Sequence, residues 1–246
     1  MPPPSSSSGS HPLVLPISHI VEPSLLYVTW QSPNESAPDR LRRTIATVSV
    51  QDGEVRFRYL TESPEFLAAK AGGFQGFPAF AISDRETRIG VLESLSRRLP
   101  SRRRDDFSAF LSQHHLPVNW PYSDLALLAY TGGKLPSDGF SFVPCFPANA
   151  VPCDYITEVA GPRHVFAGDP SSIRPGDAVE LIRDPDNPIE ASAIYVRWNG
   201  QRLGFLNRAL LTTVHRWLEQ HQVTARVDRI NGRPSRPLVY VRIEVR

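Results

Sequence analysis

Arginine is the residue whose abundance bears most directly on chemistry in this chain: of 27 lysines and arginines among 246 residues, only Lys70 and Lys134 are lysine. The planar guanidinium fork suits phosphate oxygens and base edges, although a GC-rich genome produces the same bias. Five arginines crowd the stretch Arg97-Arg98-Leu99-Pro100-Ser101-Arg102-Arg103-Arg104. Broken by Pro100, that cluster could grip phosphate as a secondary basic patch. Asp105 and Asp106 follow at once and sit well at a helix N-terminus, so a solvated turn that balances its own charge is the competing reading. A second concentration of polar chemistry is Arg183-Asp184-Pro185-Asp186-Asn187-Pro188-Ile189-Glu190. Pro188 fixes its own φ and pushes Asn187 to an extended conformation. The Asn187 and Glu190 side chains can then bond loop backbone or reach a ligand.

Histidines and cysteines do not assemble into a catalytic or metal-binding set. Cys145 and Cys153 taken with His164 match no common zinc spacing and lack a fourth ligand, so neither metal nor cofactor is expected. Two cysteines make no disulfide framework, and without an export signal the thiols are expected reduced in the cytoplasm. His114-His115 closes a helical pattern, where cations favour the dipole; His215 and His221 fall on the wet side of a later helix. No G-x-S-x-G, H-E-x-x-H, Walker loop or dinucleotide fingerprint occurs. Gly132-Gly133-Lys134 lacks both the preceding spacing and the following Ser/Thr of a phosphate loop. The chain is therefore not expected to be an enzyme. No run of 18 apolar residues exists to span a membrane, and a net charge of +2 singles out no partner.

The elements that must position these residues fall into two sets. The first ten residues, Pro- and Ser-rich, open a disordered tail expected over 1–16. Strands are expected at 25–30, 43–50 and 55–60, the last two joined by a hairpin turn at Asp52-Gly53, which supplies positive φ. Ser63 caps a helix over 64–71. The Gly-rich loop 72–78 carries Phe74 and Phe77, exposed-looking aromatics of a kind that more often plug a core edge than bind ligand. Helical patterns follow at 90–99, 105–115 and, capped by Ser123, at 124–130; a strand at 140–144 closes an α+β domain of antiparallel strands and helices over 17–144. A Pro-rich linker spans 145–152. Beyond it come strands at 155–161, 178–183, 193–198, 202–206, 223–230 and 238–245, with a hairpin at Asn199-Gly200. One helix buries Leu210, Val214, Trp217 and Leu218. That inventory describes a mostly-β domain over 153–246: a small six-stranded, OB-like barrel with one helix.

Within the second set, residues 182–196 resemble the HIRAN family pattern R-x-P-x-N-P-[YH]-D-x-x-A-I-x-V, with Asn187-Pro188 and Ala193-Ile194-Tyr195-Val196 as anchor points. Leu203-Gly204-Phe205-Leu206-Asn207-Arg208 fits the G-[YH]-[LIV] strand that follows. Val159-Ala160-Gly161 with Arg163, and Arg174-Pro175-Gly176-Asp177, add agreement, so the likeness covers residues 155–245. The resemblance implies a barrel that holds the 3′ end of single-stranded DNA. Carried over, Arg163 would contact DNA, His164 would stand where an aromatic stacks on a base, and Arg208 would contact phosphate. Asn187 is retained, and Arg183, Glu190 and Phe205 complete the expected DNA-binding set. Two positions depart from the pattern. Ile189 replaces Tyr or His, and Glu190 replaces the Asp that reads the terminal hydroxyl.

Within the first 145 residues, about 25–145 resemble the N-terminal subdomain of HipA-type kinases. The likeness rests on Val55 with Phe57-Arg58-Tyr59, Pro64-Glu65-Phe66-Leu67-Ala68, Val91 to Pro100, Asp124 to Gly133, and Phe140 to Pro144. It implies a small α+β interaction unit, with a separately encoded HipA-type kinase as candidate partner; the kinase's own motifs are absent. The expected function is DNA binding by the barrel beside an N-terminal protein-interaction domain. The alternative is an antitoxin-like interaction component in which the barrel is a scaffold. A basic concave face with Arg163, Arg183 and Arg208 favours DNA, and one dominated by Asp186 and Glu190 favours the scaffold.

Overall fold

Asp52 and Gly53 take φ of 53° and 77°, the mirror-image turn that suits the right-handed twist of adjoining strands. They join β2 (Arg43–Gln51) to β3 (Glu54–Tyr59). With β1 (Leu25–Trp30) and β4 (Phe140–Pro144) these make an antiparallel sheet in the order β3-β2-β1-β4. The computed structural model describes residues 15–34, 40–135, 137–233 and 236–246; the expected tail lies, through residue 14, outside them. Ser63 Oγ accepts from the Phe66 amide at 3.1 Å and starts α1 (Pro64–Ala71), as its sequence predicts.

The next two helices are shorter than their periodicity suggests: α2 is Val91–Ser96 and α3 is Phe107–Gln113. At α3 the reason is visible. Asp106 occupies the cap position, yet its carboxylate takes two bonds from Arg104 (2.8 and 2.6 Å) and none from the helix amides. α4 (Asp124–Thr131) is capped by Ser123 and buried from Leu125 to Tyr130. Phe74 and Phe77 are 1% and 5% exposed. They plug the core against Tyr59, Phe66 and Phe140, and the Phe77 amide donates to the Tyr59 hydroxyl at 2.7 Å.

The second sheet runs β5-β10-β9-β6-β7-β8, from β5 (Cys153–Glu158), β6 (Ala178–Arg183), β7 (Ile194–Trp198), β8 (Gln201–Phe205), β9 (Val223–Arg233) and β10 (Arg236–Val245). Asn199 and Gly200, at φ of 45° and 77°, turn β7 into β8. Two backbone bonds between Ala160 and Phe205 (2.7 and 2.9 Å) bring the outer strands together into a barrel. That approach needs Gly204: a Cβ there would lie 2.5 Å from Val159 Cγ1 and 2.6 Å from the Ala160 carbonyl oxygen. A four-residue helix, α5 (Pro162–Val165), follows β5, and α6 (Leu211–Gln220) plugs the barrel with Leu211, Val214 and Trp217.

One hydrophobic core runs through both sets of elements. Phe146, fully buried, packs its ring against Tyr130, Tyr155 and Trp217, so the segment between the sheets contributes a residue to the core. A strap at residues 17–21 seals the same seam. Ile17 donates its amide to the His115 carbonyl, and the His19 carbonyl accepts from the Asp154 amide, each at 2.8 Å. Asp154, buried in β5, accepts from the Ser18 and His19 amides (3.0 and 3.1 Å), the Ser18 hydroxyl and Arg246 (2.6 Å). Burial alone would raise its carboxyl; these donors outweigh it and hold the group at about 2. Among the described residues no helix is long and apolar enough to cross a membrane.

Candidate functional site

Gly161, at φ 68°, turns the chain out of the barrel, and Pro162 sets the first turn of α5. The result is two exposed side chains side by side: Arg163 Nε lies 2.9 Å from His164 Nε2. Among the described residues no carboxylate pairs with Arg163. Sequence periodicity gave no sign of α5, because one turn is too short to show a period.

Across the rim, the 184–193 loop is built by the side chains that the sequence marked. Asn187 Oδ1 accepts from the Ile189 and Glu190 amides (3.0 and 3.1 Å), while its Nδ2 donates to Asp184 at 3.1 Å. Glu190 accepts from the Ser192 hydroxyl at 2.6 Å and faces Arg208 at 3.1 Å. The Ser192 bonds, with Arg208 beside them, hold its carboxyl below the usual range. Arg208 is further engaged by Glu65 of α1 at 3.2 Å and by the Ile189 carbonyl at 3.0 Å. Ile189 itself stands 65% exposed.

These residues face a cleft of about 1060 Å³ between the barrel and the N-terminal elements. Arg163, His164, Asn187, Glu190, Phe205 and Arg208 all line it. Arg183 does not; it pairs with Glu219 of α6 at 2.7 Å. Asp186 is also off the cleft, so acidic side chains do not dominate this face.

The Arg97–Arg104 stretch disperses. Arg98 alone reaches the cleft, clamped on Asp138 at 2.6 and 2.9 Å and covering the rings of Phe77, Phe140 and Phe142 at 5.5–5.7 Å. Arg97 pairs with Glu93, Arg102 with Asp124 and Arg104 with Asp106. Arg103 points to solvent. Four of the five thus hold carboxylates of their own neighbourhood.

Several lining residues escaped the sequence reading. Arg42, Lys134 and Glu158 line the cleft together, and Lys134 and Glu158 form an ion pair there. Burial depresses both cations; Glu158 would rise on burial, but Lys134, Arg42 and Arg236 hold it down. His114 lines the same wall. Burial, with Arg229, His115 and Lys134 adding positive charge, lowers it to about 4, so it is neutral at pH 7. The available signal was that Lys134 is one of only two lysines.

Among the described residues no three His, Cys, Asp or Glu side chains stand close enough to hold a metal ion. Cys145 and Cys153 are free thiols, and burial pushes Cys153 up to about 12.

Residues 152–246 match the model of the HIRAN domain. Two solved structures resemble the chain, each over 37% of its length. The HIRAN domain of human HLTF shares 21% identity over 74% of its own chain, with a TM-score of 0.30. A protein from Lactobacillus plantarum shares 22% identity over 99% of its chain, with a TM-score of 0.27. No curated protein matches. The family match starts at residue 152, and the expected likeness of residues 25–145 to HipA-type kinases is not shown by these comparisons. The barrel at residues 152–246 is thus the part of the chain that is similar to the HIRAN domain family.

Proposed function

We propose that this chain binds nucleic acid, as single-stranded DNA or an exposed DNA end, on the cleft-facing rim of its HIRAN barrel, and that it makes or breaks no bond there. One observation carries the reading: six residues spread in sequence from Arg163 to Arg208 line one cleft. Their chemistry is that of a strand-binding site. Arg163, without a carboxylate partner, offers a full charge to phosphate. His164 beside it presents an imidazole face, and Phe205, half-buried under Arg202 at 5.3 Å, a ring edge. Asn187 and Glu190 hold the loop that forms the opposite lip. Arg208 adds a phosphate contact once its carboxylate partners yield.

The test is binding of the full chain to labelled single strands with a free or blocked 3′ end, and to duplex, across a salt series. Binding to the free single strand that weakens with salt and is lost with Arg163→Ala supports the reading. Failure to bind any of them at low salt sinks it.

A further inference from the structure

The cleft has a second wall, and that wall is also basic. Eight lysines and arginines line the cleft against two carboxylates, Glu158 and Glu190, whereas the whole chain carries 27 against 25. Three of the eight meet carboxylates set outside the lining, Arg98 with Asp138, Arg208 with Glu65 and Arg229 with Asp228; the remaining excess draws in polyanions, because low-dielectric sides focus the field of the charges they hold. On the N-terminal side the charge comes from Arg42, at the entrance to β2, and Lys134, just after α4. Both line the cleft, Lys134 with 40% of its side chain exposed. Arg42 bonds neutral partners, the Ser141 hydroxyl and the Gln31 amide oxygen, and feels the charge of the Glu158 carboxylate, which is paired with Lys134.

Flat faces accompany the charge. The Arg229 guanidinium lies 4.1 Å from the centre of the Tyr240 ring, and the rings of Phe110 and His114 stand 4.8 Å apart. All four line the cleft. Interleaved cations and aromatic faces are how a groove holds successive bases and phosphates of one strand. A volume of about 1060 Å³ is that of a pocket enclosing one large small-molecule ligand, which admits a few nucleotides of one strand and no duplex.

We propose that the N-terminal unit supplies half of the nucleic-acid site: a single strand seated on the barrel rim passes into the cleft, where Lys134 and Arg42 take backbone phosphates opposite Arg163 and displace Glu158. This rests on the nucleic-acid reading of the rim. In it Glu158 is a stand-in anion, paired with Lys134 and acting by its charge on Arg42 until phosphate arrives.

The experiment uses the full chain and short and long oligothymidylates, read by fluorescence anisotropy over a salt series, with folding checked by circular dichroism. Lys134→Gln is expected to weaken single-strand binding about tenfold at low salt and to lower the salt slope by about 0.7, the loss of one phosphate contact. Glu158→Gln is expected to tighten binding by about threefold, since the competing carboxylate is gone; a merely structural Lys134–Glu158 pair would not move that way. Arg163→Ala reports the rim alone. If Arg163→Ala weakens binding while Lys134→Gln and Glu158→Gln leave affinity and slope unchanged, the N-terminal wall plays no part and the rim reading stands. If the wild-type chain binds no single strand at low salt, both fall. Equal competition by duplex overturns the single-strand assignment.

Discussion

Arg208, at the foot of the barrel's helix, reaches Glu65 in the first turn of α1 with Nη1 3.2 Å from Oε1, tying the rim of the barrel to the N-terminal sheet. Arg208 also faces Glu190 at 3.1 Å, so the residue best placed on the lip for phosphate is doubly neutralised. Glu65→Gln removes one of those charges and keeps an oxygen for the Thr44 amide, which donates to Glu65 Oε2 at 2.6 Å. Single-strand affinity is expected to rise about threefold, with stability changed by less than about 1 kcal/mol, as for other partly exposed ion pairs. Anisotropy titrations beside thermal melts check both. A fall in affinity would mean that Glu65 positions Arg208 rather than competing for it.

Asp154 gives the seam between the sheets an acid limit. Its carboxyl titrates at about 2 in the folded chain and near the ordinary value of about 3.9 when unfolded. The depressed value makes its contribution fully present above about pH 4 and progressively lost as pH falls toward 2. Asp154→Asn leaves the Ser18 and His19 amides and Arg246 with a poorer acceptor. It is expected to cost about 1–3 kcal/mol at neutral pH and to flatten the acid limb of stability. Urea melts at pH 7 and pH 3, wild type against variant, measure this.

His114 acts with the opposite chemistry in a higher window. Its folded value of about 4 lies below the unfolded value of about 6.5, so the unfolded chain binds the proton first. Stability is fully present above about pH 6.5 and declines as pH falls toward 4. His114→Gln should remove that slope between pH 6.5 and 4 while leaving the lower, Asp154-dependent limb. A slope that persists unchanged in the variant would assign it to another group.

Gly204 tests closure of the barrel. Gly204→Ala would drive a methyl to 2.5 Å from Val159 Cγ1 and 2.6 Å from the Ala160 carbonyl oxygen, against the Ala160–Phe205 pairing that joins the outer strands. A loss of about 1–3 kcal/mol is expected from such overpacking. The amide protons of Ala160 and Phe205 should lose their exchange protection first.

The barrel strands were legible in the sequence because alternation and the Asn199-Gly200 turn are local signals. Val239, Val241, Ile243 and Val245 all point inward, as their spacing predicts, and are fully buried. Arg242, on the other side of the same strand, is buried too, at 4% exposed. It meets Asp228 (3.1–3.2 Å) and the Leu15 carbonyl (2.6 Å), and Asp228 in turn faces His115 at 2.7 Å. Asp228 sits on the neighbouring strand, but Leu15 and His115 come from distant parts of the chain, where no periodicity reaches. The site divides the same way. Arg163, His164, Asn187 and Arg208 were marked by a linear pattern, while Arg42, Lys134 and Glu158 become one cluster only when two sheets pack. The arginine run misled for the reverse reason: adjacency in sequence does not make side chains converge, and Arg98, Arg102 and Arg104 each turn to a different aspartate.

Phe146 stands outside the segment that the family pattern covers, yet it is the ring on which Tyr155 and Trp217 of the barrel close. Cutting the gene at residue 152 would strip the barrel of an aromatic lid and leave two large rings facing water. The portion of this chain that can be inherited or transplanted intact is therefore longer than the portion a family signature recognises. A recombination that moved the barrel to a new neighbour would have to bring Phe146 along, or find another ring to replace it.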